Sequence, residues 1–400
     1  MISSFLPNHK ADAFFPPLDS CTTKLDCWIR LLLDGFHKWD AVYFHFISSN
    51  GYIYENNLAF FPLFPMLLRL TSTLTFTFQP FWSFWTHTII SGLFLNFLCG
   101  IGSAVQLYRL SKLMLMSDTV AILSALLFVI NPASVFFSTL YSESLYSLLF
   151  ISGLIYIHKR NFTIACTFFS MAVLCRSNGL VNCGFACFPH VILLLEKLVS
   201  ALDIGRQKSF RQLCFFTVDI LTAILYRLLV VLALIACICS PYIIYQYYGA
   251  YLYCSPPDIA LLSFLRPNKP GRELEEFALE IGVLTPYSVN SSSYPVWCAG
   301  VPWFSYTILQ KKFWGVGALK YYQWKQLPNF LLALPVLFLT CKTIFLFARR
   351  APKTMISMGL LMEHKKQQFV LPHIYHALVL LAYGIVNIHI QVSRAPSPHF

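Results

Sequence analysis

Residues 38–65 read KWDAVYFHFISSNGYIYENNLAFFPLFP, a polar, aromatic-rich passage standing ahead of the hydrophobic bulk of the chain. It holds two carboxylates, Asp40 and Glu55, among Trp39, Tyr43, His45, Tyr52 and Tyr54. It then enters an apolar run, residues 60–64, bracketed by prolines and suited to lie on a bilayer surface. Facing a lumen beside a lipid-filled cavity, the passage is a catalytic loop. Facing the cytosol, that reading fails.

Composition sets the class. The 400 residues are 57% hydrophobic and 12% charged, whereas about a quarter of a soluble domain is charged. So little polar surface cannot cover a core in water, and an all-α polytopic membrane protein is the class that fits. The net charge of +12 is spread over short segments between apolar runs. That is the pattern of cytosolic loops facing anionic lipid, not of a nucleic-acid stripe. Thirteen cysteines without a CxxC pair argue against a structural zinc site, and no metal is expected.

Residues 1–17 have neither the basic start nor the apolar core of a signal peptide. Residues 26–36 carry Trp28, Leu31, Leu32 and Phe36 at helical spacing and read as an interfacial helix. Apolar runs approaching the ~20 residues of a span lie at residues 85–108, 119–130, 135–157, 162–174, 180–198, 224–247, 330–347 and 370–390. The second and fourth are short and are read as extending into their flanks. These runs predict about eight transmembrane helices in a single domain over residues 1–400. Arg109, Lys112, Lys159, Arg160, Lys197, Arg206, Lys208, Arg211, Arg349, Arg350, Lys353, Lys365 and Lys366 fall at every second junction, which marks those junctions as cytosolic. Residues 37–65, 131–143, 176–179 and a long loop at 249–327 then face the lumen. Asn290 opens a glycosylation sequon inside that long loop, while the sequon at Asn161 lies at a basic junction and is expected to stay unmodified. Cys254 and Cys298 are either a disulfide or two free thiols.

Four luminal pieces carry polar groups that lipid does not select. Asp40 reads either as a helix N-cap or as a base for a sugar hydroxyl. Glu143 in Tyr141-Ser142-Glu143-Ser144 sits just inside a span, and Arg176 in RSNG is its evident partner. The two form either a lock between helices or a phosphate site in which Glu143 orients Arg176. Asn178 and Gly179 suit close approach to a ligand or punctuation of a helix end. Glu55, Asn56 and Asn57 beside Tyr52 and Tyr54 suit sugar binding or a membrane-interface turn. The aromatic long loop either caps a site or forms an interfacial belt. P-loop, GxGxxG, HExxH and GxSxG motifs are absent from the sequence.

The segments HKWDAVYFHFISSNGYIYENNLAFFPLFP, NPASVFFSTLYSESLYSLLF, CRSNGLVN and LKYYQWKQLPNFLLALPV resemble, in the same order, those of the PIG-V family of GPI mannosyltransferases. The resemblance covers nearly all of the chain. It implies a GT-C type glycosyltransferase of the endoplasmic reticulum membrane with a luminal active site. The implied donor is dolichol-phosphate-mannose, with no cofactor, and the implied acceptor is the glycosylphosphatidylinositol precursor, which receives its second mannose in α-1,6 linkage. Carried over by position, Asp40 is the base or acceptor orienter, Arg176 the phosphate cation and Glu143 its orienter. Trp39, Glu55, Asn57, Tyr141 and Asn178 are expected to contact substrate. The same resemblance gives the expectation of a truncated product, lacking a span ahead of residue 1 and a luminal part and span beyond Val392. Two rival readings are a GT-C transferase with another acceptor, and a transporter or scaffold. A transporter calls for repeats and mid-span charges. No repeat is evident, and Arg227 and His389 are read as interfacial.

Overall fold

The computed structural model describes residues 14, 16–17, 20–131, 134–204, 210–254, 267–288, 294–299, 305–319, 322, 324, 327–361 and 365–387. Among the described residues the chain is helical and has no strand. Thr23 accepts from the Asp26 amide and so caps α1 (Lys24–Leu33). Its Leu25, Trp28, Leu31 and Leu32 are exposed, the apolar face expected of the interfacial helix. After a 3-10 turn come α2 (Asp40–Asn50) and α3 (Leu63–Phe78), joined through a second 3-10 turn, Glu55–Ala59. Ser83 caps α4 (Phe84–Leu115), and Ser117 caps α5 (Asp118–Val129). Then follow α6 (Glu143–His158) and α7 (Phe162–Cys175). Asn161 accepts from the Ile164 amide and caps α7. The sequon there is built into a helix start.

The remaining helices are α8 (Cys183–Ile204), α9 (Phe210–Cys254), α10 (Arg272–Glu280), α11 (Ser305–Trp314), α12 (Leu327–Arg350) and α13 (Lys365–Asn387). Among the described residues, four helical stretches are long and apolar enough to cross a membrane: Phe84–Leu115, Ser177–Ser200, Ile220–Cys254 and Phe369–Val386. In the most apolar window of the third, only 6% of the residues are buried in the protein. Side chains in that window are mostly left outside the protein core, as suits contact with lipid, while Tyr245, Gln246, Leu252 and Tyr253 further along the helix are buried. The chain is a polytopic membrane protein.

Several boundaries differ from the expectation. Helix α3 was not foreseen, because Arg69 and the hydroxyl residues Thr71, Ser72, Thr73, Thr75 and Thr77 interrupt the apolar run by which spans were sought. Residues 37–65 are not an open loop, since α2 occupies much of them. Nor does the run 60–64 lie on a bilayer surface: Phe60, Phe61 and Phe64 are buried. Tyr43 stacks on Phe60 at 4.4 Å, and the Tyr245 hydroxyl donates to the carbonyls of Leu58 and Phe60. The long loop begins later than expected, because α9 runs on to Cys254, and it carries α10 and α11.

Helices α6 and α7 approach closely because Gly153 has no Cβ; one there would come within 2.4 Å of the Phe169 ring. The ends of these two helices hold the polar groups described next.

Candidate active site

Trp39 is the N-cap of α2 and Asp40 its first residue. Asp40 is thus not the cap expected as its structural alternative. Trp39 has φ 53° and ψ −124°, a strained conformation for a bulky residue. It stands 53% exposed beside the half-buried Asp40. The Tyr141 hydroxyl donates to the Lys38 carbonyl at 3.4 Å. This contact ties the Trp39-Asp40 turn to the segment that opens α6.

The first residue of α6 is Glu143, and Arg176 is the C-cap of α7. The Arg176 guanidinium donates to Glu143 Oε1 and to Ser142 Oγ, the latter at 3.2 Å. Glu143 Oε2 is buried with no hydrogen-bond partner among the described residues. Burial opposes the charge on Arg176, but the carboxylates of Glu143 and then Asp40 outweigh it and raise the arginine pKa. Asp40, Glu143 and Arg176 are therefore gathered into one electrostatic cluster.

Tyr306 of α11 completes this cluster. Its hydroxyl accepts from Ser177 at 2.9 Å, and its amide donates to Gln246 Oε1 at 3.1 Å. Burial pushes the Tyr306 phenol up, while Ser177 and Arg176 pull it down. Its sequence neighbours are aromatic and Ser-rich like the rest of the long loop, so no local signal singled it out.

Gly179 approaches backbone closely, but the backbone is its own. A Cβ there would lie 2.7 Å from the Val173 nitrogen and 2.8 Å from the Ala172 carbonyl. The RSNG turn is thus folded back on the last turn of α7, which holds Arg176 inward and leaves Asn178 exposed.

Glu55 and Asn57 are fully buried beneath the long loop. Glu55 pairs with Lys312 of α11, accepts from the Leu284 amide and donates its own amide to the Leu284 carbonyl. Its Oε2 and both side-chain polar atoms of Asn57 have no partner among the described residues. Such buried groups call for water or ligand. Cys254 and Cys298 form a disulfide with Cα atoms 5.5 Å apart, which fastens the loop to the end of α9. Asn290, Lys320 and Tyr321 lie outside the described residues.

Helices exposed to lipid, with two acids and a guanidinium gathered where their connecting segments meet, have the make-up of a membrane-embedded glycosyltransferase. The sequence model of the family described as Mannosyltransferase (PIG-V) matches residues 1–396. The chain belongs to this family. It is 31% identical to the human GPI alpha-1,6-mannosyltransferase 2 over 98% of this chain and 76% of the relative. Against the Rattus norvegicus protein of the same name the identity is 30%, with the same coverage. The Drosophila melanogaster GPI mannosyltransferase 2 is 31% identical over 97% of this chain and 82% of its own length. The family match begins at residue 1 and gives no support to the expected loss of a first span. No solved structure matches the chain.

Proposed function

We propose that this chain transfers mannose from dolichol-phosphate-mannose to a glycosylphosphatidylinositol precursor, as the second, α-1,6-linked mannose. The reaction takes place on the luminal face of the endoplasmic reticulum membrane. The observation that carries the reading is the meeting of Asp40, Glu143 and Arg176, in a chain similar over almost all its length to enzymes named for this transfer.

Asp40 accepts the proton of the acceptor hydroxyl as its oxygen forms a bond to C1 of the donor mannose. The bond from C1 to the phosphate oxygen breaks, and its electron pair leaves with dolichyl phosphate. Arg176 faces that growing negative charge, and Glu143 orients the guanidinium. One such displacement inverts a β-linked donor to an α-linked product. Base and cation come from the chain itself, and no step is assigned to a metal. Trp39, Tyr141 and Asn178 flank the cluster as substrate contacts. The lumen is favoured by the Cys254–Cys298 disulfide, a bond of oxidising compartments, and by the basic residues at the opposite junctions.

The test is expression in cells lacking GPI mannosyltransferase 2, with surface display of a GPI-anchored reporter as readout. Wild-type chain restores display, and Asp40→Asn lowers transfer in isolated membranes by about 10²-fold or more at equal protein level. Full activity of Asp40→Asn removes it as base. Failure of the wild-type chain, where an authentic relative succeeds, sinks the transferase assignment.

A further inference from the structure

A second polar cavity, of about 410 Å³, opens at the far end of α2 from Asp40. Its lining includes Ser49, Asn50, Arg69, Tyr248, Asn268 and Lys269, and no carboxylate lines it among the described residues. Arg69 stands exposed on α3 beside the exposed Met66 and Leu70, an apolar surface from which an arginine head reaches toward water or a counter-charge. It has no ion pair or hydrogen bond among the described residues. Lys269 reaches only Glu275, at 3.9 Å, and is largely exposed. Two cations thus face one cavity without an anion among the described residues of its wall.

The other side of the same cavity supplies acceptors. It is made by the C-terminal turn of α2, where the last carbonyls of a helix lack intrahelical partners, and by the side chains of Ser49 and Asn50. Cations on one wall and oxygens on the other suit a ligand that is anionic at one end and rich in hydroxyls at the other. We infer that this cavity holds the phosphoinositol part of the lipid acceptor, with Arg69 and Lys269 on the phosphodiester and the end of α2 on the ring hydroxyls. The inference rests on the acceptor proposed above. It makes α2 a measure of that acceptor. Ten residues separate Asp40 from Asn50, about 15 Å at the helical rise, between the reacting sugar hydroxyl and the inositol ring. The exposed apolar face of α3 next to Arg69 leaves the lipid chains free to enter the bilayer.

The experiment uses the full chain in nanodiscs with a precursor bearing one mannose, and compares wild type with Arg69→Gln and Lys269→Gln. Losing one charged hydrogen bond raises the KM for the precursor about tenfold with kcat held, and Arg69→Lys recovers most of the loss. A matching acceptor glycan without its phosphodiester is used equally by all forms. Unchanged KM in both Gln variants, with wild-type turnover intact, overturns the assignment alone. An equal loss on the phosphate-free glycan also overturns it, since the residues then act on the fold. A KM that stays fixed while activity comes to depend on added phosphatidylinositol assigns the cavity to bulk lipid instead. A wild-type chain without any transfer removes the functional reading and this site together.

Discussion

Arg176 and Glu143 bridge the last turn of α7 and the first of α6, with the guanidinium held on one carboxylate oxygen and the other oxygen left buried and unpartnered. Both side chains remain partly exposed, at 34% and 26%. A lock between helices would use both oxygens and exclude solvent; this pair does neither. Arg176→Gln is therefore expected to abolish transfer while costing only about 1–3 kcal/mol of stability, below the cost of breaking a fully buried pair. Thermal unfolding in detergent beside an activity assay separates the two. A collapse in stability with activity falling in proportion would make the pair structural.

Gly179 gives a second test. An added Cβ meets backbone atoms of Ala172 and Val173, which cannot rotate away as a side chain can. Gly179→Ala should push the RSNG turn off α7, destabilise by about 1–3 kcal/mol and displace Arg176. Transfer at saturating donor should fall with it. Unchanged kcat and unfolding temperature would show that the turn relaxes freely.

The disulfide closes a loop of 44 residues in sequence separation, for which chain-entropy arguments give about 4 kcal/mol. Cys254→Ser with Cys298→Ser should loosen the long loop and make residues around Glu55 more protease-sensitive. Thiol labelling of the unreduced wild type should leave both cysteines unmodified. Labelling of either one would contradict the pairing.

His37 sets a pH dependence. Burial, helped by Lys38 and Arg30 and opposed by Asp34, depresses its pKa from 6.5 to about 4. The buried His45, whose ring meets His37 at 4.9 Å, is pushed the same way by burial and then by the charges of His37 and Arg30. Between pH 6.5 and 4 the unfolded chain binds a proton at His37 that the folded protein does not, so stability falls as pH drops through that window. Above 6.5 both states are neutral and the effect vanishes. The His37 share is about 3 kcal/mol. His37→Gln should flatten the fall in unfolding temperature between pH 7 and 5, and an unaltered slope would point elsewhere.

Much of the site was legible because charge in a lipid-facing sequence is expensive and hence conspicuous. Asp40, Glu143 and Arg176 were three of few ionisable groups that the expected topology put on one side, and only their convergence needed the structure. Tyr306 and Gln246 were not legible, since a tyrosine in an aromatic loop and a glutamine in a long helix carry no mark of their partners. The burial of Glu55 was not legible for a related reason. Its neighbours Tyr52, Tyr54 and Asn57 suit a sugar as well as they suit a core, and the deciding residue, Lys312, lies far away in sequence. Helix α3 escaped because Arg69 and its five threonine and serine residues dilute the apolar run that marks a span.

The pairing of Glu55 with Lys312, and of Ser177 with Tyr306, also orders events during synthesis. The chain begins with Asp40 and Glu55, and Arg176 follows well before the long loop is made. A product that stops before residue 306 holds Asp40, Glu143 and Arg176 but lacks Tyr306 and the Lys312 that pairs with the buried Glu55. The candidate site and the counter-ion of Glu55 are thus complete only once residue 312 has been made.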